Sequence, residues 1–285
     1  MEEEQHESSL KESHKVLLTY IRSVCVLDQG TLCKRFAKIL RRLEPETFNN
    51  DMESDNQSEA IAGMLEQYIT SINDNIQDDG FKINKIRHQV SGAMLYVYVN
   101  TWIDEVAKAN SDFSASQISA LKCLIDDVVG SGDNLEFSVS IVDAQQRIAT
   151  ETNKGIREAS IELSGLVDQQ WFGLTSESRV ILSPRLLCEL RPYLIDRYGI
   201  STNDSEGSLL QCLQCSDILT IGQKCPRTTC PVAFHSKCLN VYRRSANSEG
   251  RCPNYSNCGC TLFSEQDPEE NYLTRVGVPE GTVLD

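Results

Sequence analysis

Cys212-x2-Cys215-x9-Cys225-x4-Cys230-x4-His235-x2-Cys238-x13-Cys252-x5-Cys258, with Cys260 two residues further on, is the stretch that decides how this chain is read. Eight soft ligands fall within 47 residues, grouped as four close pairs separated by longer loops. Zinc takes four thiolate or imidazole ligands in a tetrahedron, and closely spaced pairs supply them. Four pairs suffice for two closed sites, and the metal would hold together a segment too small to build a core of its own. The alternative is a disulfide cluster, which needs an oxidising compartment. The chain opens Met1-Glu2-Glu3-Glu4-Gln5 rather than with a secretory leader, and no apolar run approaches membrane-spanning length. The pattern therefore predicts two zinc ions and no membrane association.

Ligand order adds to ligand number. In a cross-brace the first and third pairs share one ion, and the second and fourth share the other. Zinc one then takes Cys212, Cys215, His235 and Cys238, and zinc two takes Cys225, Cys230, Cys252 and either Cys258 or Cys260. Cys258 is preferred, because Cys252-Pro253 and Cys258-Gly259 have the form of a zinc knuckle, in which glycine lets the backbone turn beneath the metal. Four cysteines, one histidine and three cysteines is an order found in PHD fingers and in variant RING domains. A PHD finger carries Trp two residues before the seventh ligand. Gly250 stands there in this chain, and Arg251-Cys252-Pro253 resembles a RING instead.

Composition bounds the rest. The chain has 285 residues, 40% of them hydrophobic, enough for two or three small domains with real cores. The net charge of −14 is uneven. Residues 206–263 hold six Lys and Arg against three acids, net +3, and residues 264–285 hold one Arg against six acids, net −5. Residues 1–205 carry the remaining −12. An acidic body is a poor surface for phosphate, so any nucleic-acid contact would need a local basic patch. Cys25, Cys33, Cys123 and Cys188 are scattered in apolar helical sequence and read as buried thiols.

Upstream of the metal motif the chain reads as two similar units. Residues 1–12 are a polar arm expected to be disordered, and 13–101 form the first domain. Helical spacing runs from Ser13 to Leu43, broken at Gly30, then resumes from Ser58 to Asp79 with Ile61, Leu65, Tyr68, Ile69, Ile72 and Ile76 on one face. Phe81–Arg87 and Ala93–Asn100 read as two strands joined through Gly92, with Leu95, Val97 and Val99 alternating against Met94, Tyr96 and Tyr98. Three helices and a hairpin outline a winged helix. The outline recurs over 112–200: a helix from Ser116, a short piece around Phe137–Ile148, a helix from Glu158 to Gln170, and a hairpin of Trp171–Leu174 with Arg179–Leu182. Ser183-Pro184 then opens a last helix, which Pro192 should bend. Residues 201–208 read as a linker, 209–263 as the zinc domain and 264–285 as an acidic tail. The expected fold class is mainly α with small β wings: tandem winged-helix domains followed by a zinc-bound, cross-brace, RING-like module.

Two winged helices ahead of this zinc motif resemble the non-SMC element one family, the RING-type subunit of the Smc five–six complex. The zinc motif and the stretch from Trp171-Phe172 to Arg197-Tyr198-Gly199 carry the resemblance most closely. It implies a nuclear, chromosome-associated protein that works in DNA repair. Its implied partners are a MAGE-type non-SMC element three, a kleisin-type non-SMC element four and a ubiquitin-conjugating enzyme. The implied activity is that of a ubiquitin ligase; the alternatives are a non-enzymatic scaffold or a PHD-like histone reader. A RING orders the charged conjugating enzyme for attack without holding ubiquitin itself, which is catalysis by positioning, so no cysteine is assigned a catalytic role. By the RING pattern the docking residues are Leu213 between the first ligands, Tyr242 four residues after the sixth, and Pro253 after the seventh. Gln214, where RINGs often carry an apolar residue, and Gly259 or Thr261, where active RINGs often carry Arg, point to weak or partner-dependent activity.

Contact with DNA is expected to be indirect at most. The helix from Ser58 to Asp79, which a DNA-reading winged helix would place in the major groove, has no Lys or Arg and contains Glu59, Glu66, Asp74, Asp78 and Asp79. Lys82, Lys85, Arg87 and His88 on the wing, and Lys34, Arg35, Lys38, Arg41 and Arg42 upstream, read as solvated faces.

Overall fold

The computed structural model describes residues 10–48, 56–101, 114–245, 250–264 and 272–284. Two compact units divide the chain: Met1–Ile86 with Ala93–Ile103, and Arg87–Gly92 with Asp104–Asp285. Most of the N-terminal arm lies outside the described residues.

In the first unit, α1 (Glu12–Val24) buries Leu17 and Ile21, and α2 (Gln29–Leu43) buries Leu32, Phe36 and Leu40, each set spaced by four residues along one stripe. Asp28 starts α2 by accepting a hydrogen bond from Thr31 N. Helix α3 (Asn56–Ile76) adds Ile61, Leu65, Ile69, Ile72 and Ile76 to the same core. A fully buried aliphatic or aromatic side chain contributes about 1.5–3 kcal/mol, so this stripe-on-stripe packing holds the three helices together. Strands β1 (Val26–Asp28), β2 (Phe81–Arg87) and β3 (Met94–Asn100) form one sheet in the order β1-β3-β2. The sequence pattern missed β1, which has only three residues between two helices. Glu66 on α3 accepts hydrogen bonds from Tyr96 Oη (2.5 Å) and Lys85, fastening the acidic helix to its own wing.

The second unit repeats the plan. Helix α4 (Ala115–Gly130) begins at a capping box of Ser114 and Gln117. Then come β4 (Ser138–Ser140), α5 (Ile141–Thr152), α6 (Ile156–Asp168), β5 (Phe172–Leu174) and β6 (Arg179–Leu182). The sheet order is β4-β6-β5, the arrangement of the first unit again. Where the sequence suggested one bent helix after Ser183-Pro184, there are two, α7 (Pro184–Glu189) and α8 (Arg191–Tyr198). Pro192 lies in the first turn of α8, where its missing N–H costs nothing. The Asp126 carboxylate on α4 grips α8, accepting from Arg197 (2.9 and 3.0 Å) and from Tyr198 Oη (2.5 Å).

The same unit contains the cysteine-rich module: β7 (Leu210–Gln211), β8 (Ile218–Leu219), β9 (Gly222–Lys224), β10 (Ala233–Phe234), α9 (Ser236–Ser245), α10 (Tyr255–Cys258) and β11 (Thr274–Val276). Strand β11 comes from the segment the sequence sets apart as an acidic tail, and it pairs with β9 in a sheet ordered β10-β9-β11. Gln89, also in this unit, is buried; its Oε1 accepts from Thr220 N (2.8 Å) and Ile221 N (3.0 Å). The architecture is thus mainly helical, with tandem winged helices ahead of a RING-like cross-brace module.

Candidate metal centre

The short strands of the module carry the ligand pairs into two clusters. Cys212, Cys215, His235 and Cys238 form one, and Cys225, Cys230, Cys252 and Cys258 the other; within each, all the candidate ligand atoms lie within 4.8 Å of one another. Pairs one and three therefore meet, as do pairs two and four. Measured edges are 3.4 Å from Cys215 Sγ to His235 Nδ1, 3.9 Å from Cys238 Sγ to His235 Nδ1, 3.8 Å from Cys230 Sγ to Cys252 Sγ, and 3.9 Å from Cys225 Sγ to Cys258 Sγ. A tetrahedral ion with metal–sulfur bonds of about 2.3 Å has edges of about 3.8 Å, slightly less where one ligand is nitrogen. A disulfide would need sulfurs about 2.05 Å apart, and all twelve cysteines are free thiols. The donor sets and their spacing fit a tetrahedral soft-ligand metal.

The Cys215 thiol donates to Cys212 Sγ, and this bond, with His235 beside it, pushes the Cys212 pKa down. Burial pushes Cys238 up to about 11 and Cys252 up to about 12. Crowded, buried thiols share protons that a dication displaces on binding. His235 turns Nδ1 toward the sulfurs, and its Nε2 is buried with no hydrogen-bond partner among the described residues.

The fourth pair is built on a turn. Cys258 ends α10, and Gly259 follows with φ +65°, in the left-handed region that glycine enters without strain. Cys260 stays outside the second cluster, its Sγ directed to the Cys258 carbonyl at 3.4 Å. The position where a PHD finger has Trp is closed to any side chain. Gly250 has φ +67°, and a Cβ there would lie 2.4 Å from the Phe263 carbonyl oxygen.

The docking residues named from the RING pattern are not all brought together. Leu213, 51% exposed, and Pro253 line one groove of about 350 Å³ with Pro231, Val232 and Asn254. The segment Ser201–Asn203 supplies a further wall, and Asn254 Nδ2 donates to Asn203 Oδ1 at 2.7 Å. By sequence this segment reads as a polar linker. Tyr242 is not among the groove's walls; it is half-buried, and its ring packs on Phe234 at 4.9 Å against the module's core. The four cysteines outside the module are half-buried rather than fully buried.

A family model described as Nse1 non-SMC component of SMC5-6 complex matches residues 14–163, more than half of the chain. The chain belongs to the Nse1 family. A second model, described as a RING-like domain, matches residues 212–255 and stops short of the eighth ligand, so the place of Cys258 rests on geometry. Among curated relatives, the Non-structural maintenance of chromosomes element 1 homolog of Bos taurus is 24% identical over 194 residues, covering 68% of each protein. Element 1 of Schizosaccharomyces pombe is 20% identical over 252 residues, covering 86% of this chain and 97% of the relative. A chain from the solved Nse1-Nse3-Nse4 complex superposes with a TM-score of 0.66 at 18% identity, over 86% of this chain and 95% of that one. At that identity the superposition speaks for the fold alone.

Proposed function

We propose that this Nse1-family chain is a RING-type ubiquitin ligase subunit of the Smc five–six complex, acting in DNA repair in the nucleus. Under this reading zinc fills both cysteine clusters, and the chain assembles with a MAGE-type element three and a kleisin-type element four. The relatives' names, and the Nse3 and Nse4 subunits that accompany the solved neighbour, support the assembly. The observation that carries the ligase reading is the groove that sets exposed Leu213 beside Pro253. These two side chains stand on loops that the two clusters pin, so they form a preshaped apolar seat for a conjugating enzyme. Bound zinc would supply folding free energy and rigidity to those loops rather than chemistry. The protein's part is to hold the charged conjugating enzyme in an attack-competent pose, and no cysteine of this chain takes ubiquitin covalently.

A scaffold without ligase activity is the second reading. The packing of half-buried Tyr242 on Phe234 favours it, because Tyr242 is not among the residues that line the groove. Ubiquitin discharge from a panel of conjugating enzymes, measured with and without the MAGE-type partner, separates the two. The ligase reading expects discharge that the partner enhances and that Leu213→Asp abolishes while both metals stay bound. Absence of discharge under every condition would leave the scaffold.

A further inference from the structure

Helix α2 stands out against the acidic chain. Its fifteen residues contain Lys34, Arg35, Lys38, Arg41 and Arg42 and no carboxylate, in a protein of net charge −14. At 100° per residue the five positions fall within an arc of about 120°, and they span about 12 Å along the axis. All five are exposed, opposite the stripe of Leu32, Phe36 and Leu40. Among the described residues none of the five is ion-paired.

Two carboxylates that flank the helix are engaged elsewhere. Asp28 caps the helix through Thr31 N, and Glu44 is held by Lys11, Ser13 and Tyr68. Two guanidinium groups are set in place by stacking, Arg35 over Tyr20 at 5.6 Å and Arg41 over Phe48 at 4.6 Å. A stacked guanidinium keeps its N–H edges for a planar oxyanion and loses little entropy on binding. The one aromatic residue of α2, Phe36, is buried, so among the described residues this helix offers no aromatic of its own on which bases could stack. By contrast α3 has no cation, and its Glu66 is engaged by Tyr96 and Lys85.

We propose that the exposed face of α2 binds the phosphate backbone of nucleic acid, without reading sequence, through Lys34, Arg35, Lys38, Arg41 and Arg42. It does so in place of the helix that a DNA-reading winged helix would use.

The test is fluorescence anisotropy of the full-length, zinc-loaded chain with a mixed-sequence duplex and with a single strand of equal length, at 50 and 200 mM salt. Four phosphate contacts would make duplex affinity fall about 150-fold between the two salts, and one contact only about 4-fold. The variant Lys34→Gln/Lys38→Gln/Arg42→Gln removes three cations that stack on nothing. It should weaken duplex binding at least tenfold at 50 mM salt and shrink the salt ratio toward the lower figure. Lys38→Glu alone should move both readings the same way, and Arg157→Gln on the second unit should move neither. An equal loss on the single strand extends the site to any phosphate backbone; a loss confined to the duplex restricts it to paired strands. The proposal is overturned if the wild type binds neither nucleic acid at 50 mM salt, or if the triple variant matches it. It is also overturned if the substitutions abolish binding only to anionic phosphatidylserine vesicles.

Discussion

Replacing Gly250 with alanine tests whether the loop before the seventh ligand is closed to side chains. An L-residue held in the left-handed region costs about 1–2 kcal/mol, and Gly250 has φ +67°. A Cβ would also sit 2.4 Å from the Phe263 carbonyl oxygen, closer than real contacts allow, so the 250 and 263 strands must part. That movement strains the hydrogen bond from Leu262 N to Gly250 O, now 2.6 Å, and weakening it costs about another 1 kcal/mol. Gly250→Ala should therefore destabilise the module by about 2–4 kcal/mol. Cys252 lies two residues away, so the loss should fall on the second cluster. Metal release to a chromogenic chelator should show one of two ions leaving faster, with the other keeping the wild-type rate. Equal release of both ions at the wild-type rate, with unchanged thermal unfolding, would refute the reasoning. So would a folded Gly250→Trp protein.

Glu44 accepts from Lys11, Ser13 and Tyr68, and these bonds outweigh its partial burial to depress its pKa to about 2 from an ordinary 4.5. A depressed carboxylate stabilises the fold above its unfolded pKa, and that contribution fades as pH falls from about 4.5 through about 2. Denaturation of the full chain, followed over that range by a probe in the first unit, should show the loss, and Glu44→Gln should flatten it. Arg185 is buried, stacks on Trp171 at 4.4 Å, and donates to Glu189 and to the Gln169 carbonyl. Arg185→Met takes the guanidinium away from a buried carboxylate and should cost about 3–5 kcal/mol in urea unfolding, whereas Arg185→Met/Glu189→Leu should recover most of it. A single variant costing under 1 kcal/mol would show that the pair is not sealed from water.

The winged helices were legible because their helices bury residues three and four apart, and because two strand-like stretches, from Phe81 and from Met94, flank Gly92. The two cysteine clusters were legible because ligand type and spacing are themselves the chemistry. What stayed hidden depends on long-range pairing. Strand β1 is three residues whose partners lie about seventy positions away on β3, and β11 looks like a polar tail until β9 pairs with it. Helix α5 reads as an irregular piece, because its apolar positions are few and Val142 is exposed. Motif transfer has a limit at Tyr242: its distance from the sixth ligand matches a docking aromatic, but spacing alone does not show that its half-buried ring packs on Phe234. The same limit hid Ser201–Asn203, polar residues that only the fold sets against the groove.

Zinc content of the purified full-length chain, measured by plasma mass spectrometry for the wild type, Cys258→Ser and Cys260→Ser, tests the cross-brace most directly. Two ions per chain are expected in the wild type and in Cys260→Ser, and one in Cys258→Ser, because Cys258 alone of that pair joins Cys225, Cys230 and Cys252. A wild-type stoichiometry of one or none would contradict the two-site assembly, and two ions in Cys258→Ser with one in Cys260→Ser would contradict the eighth ligand.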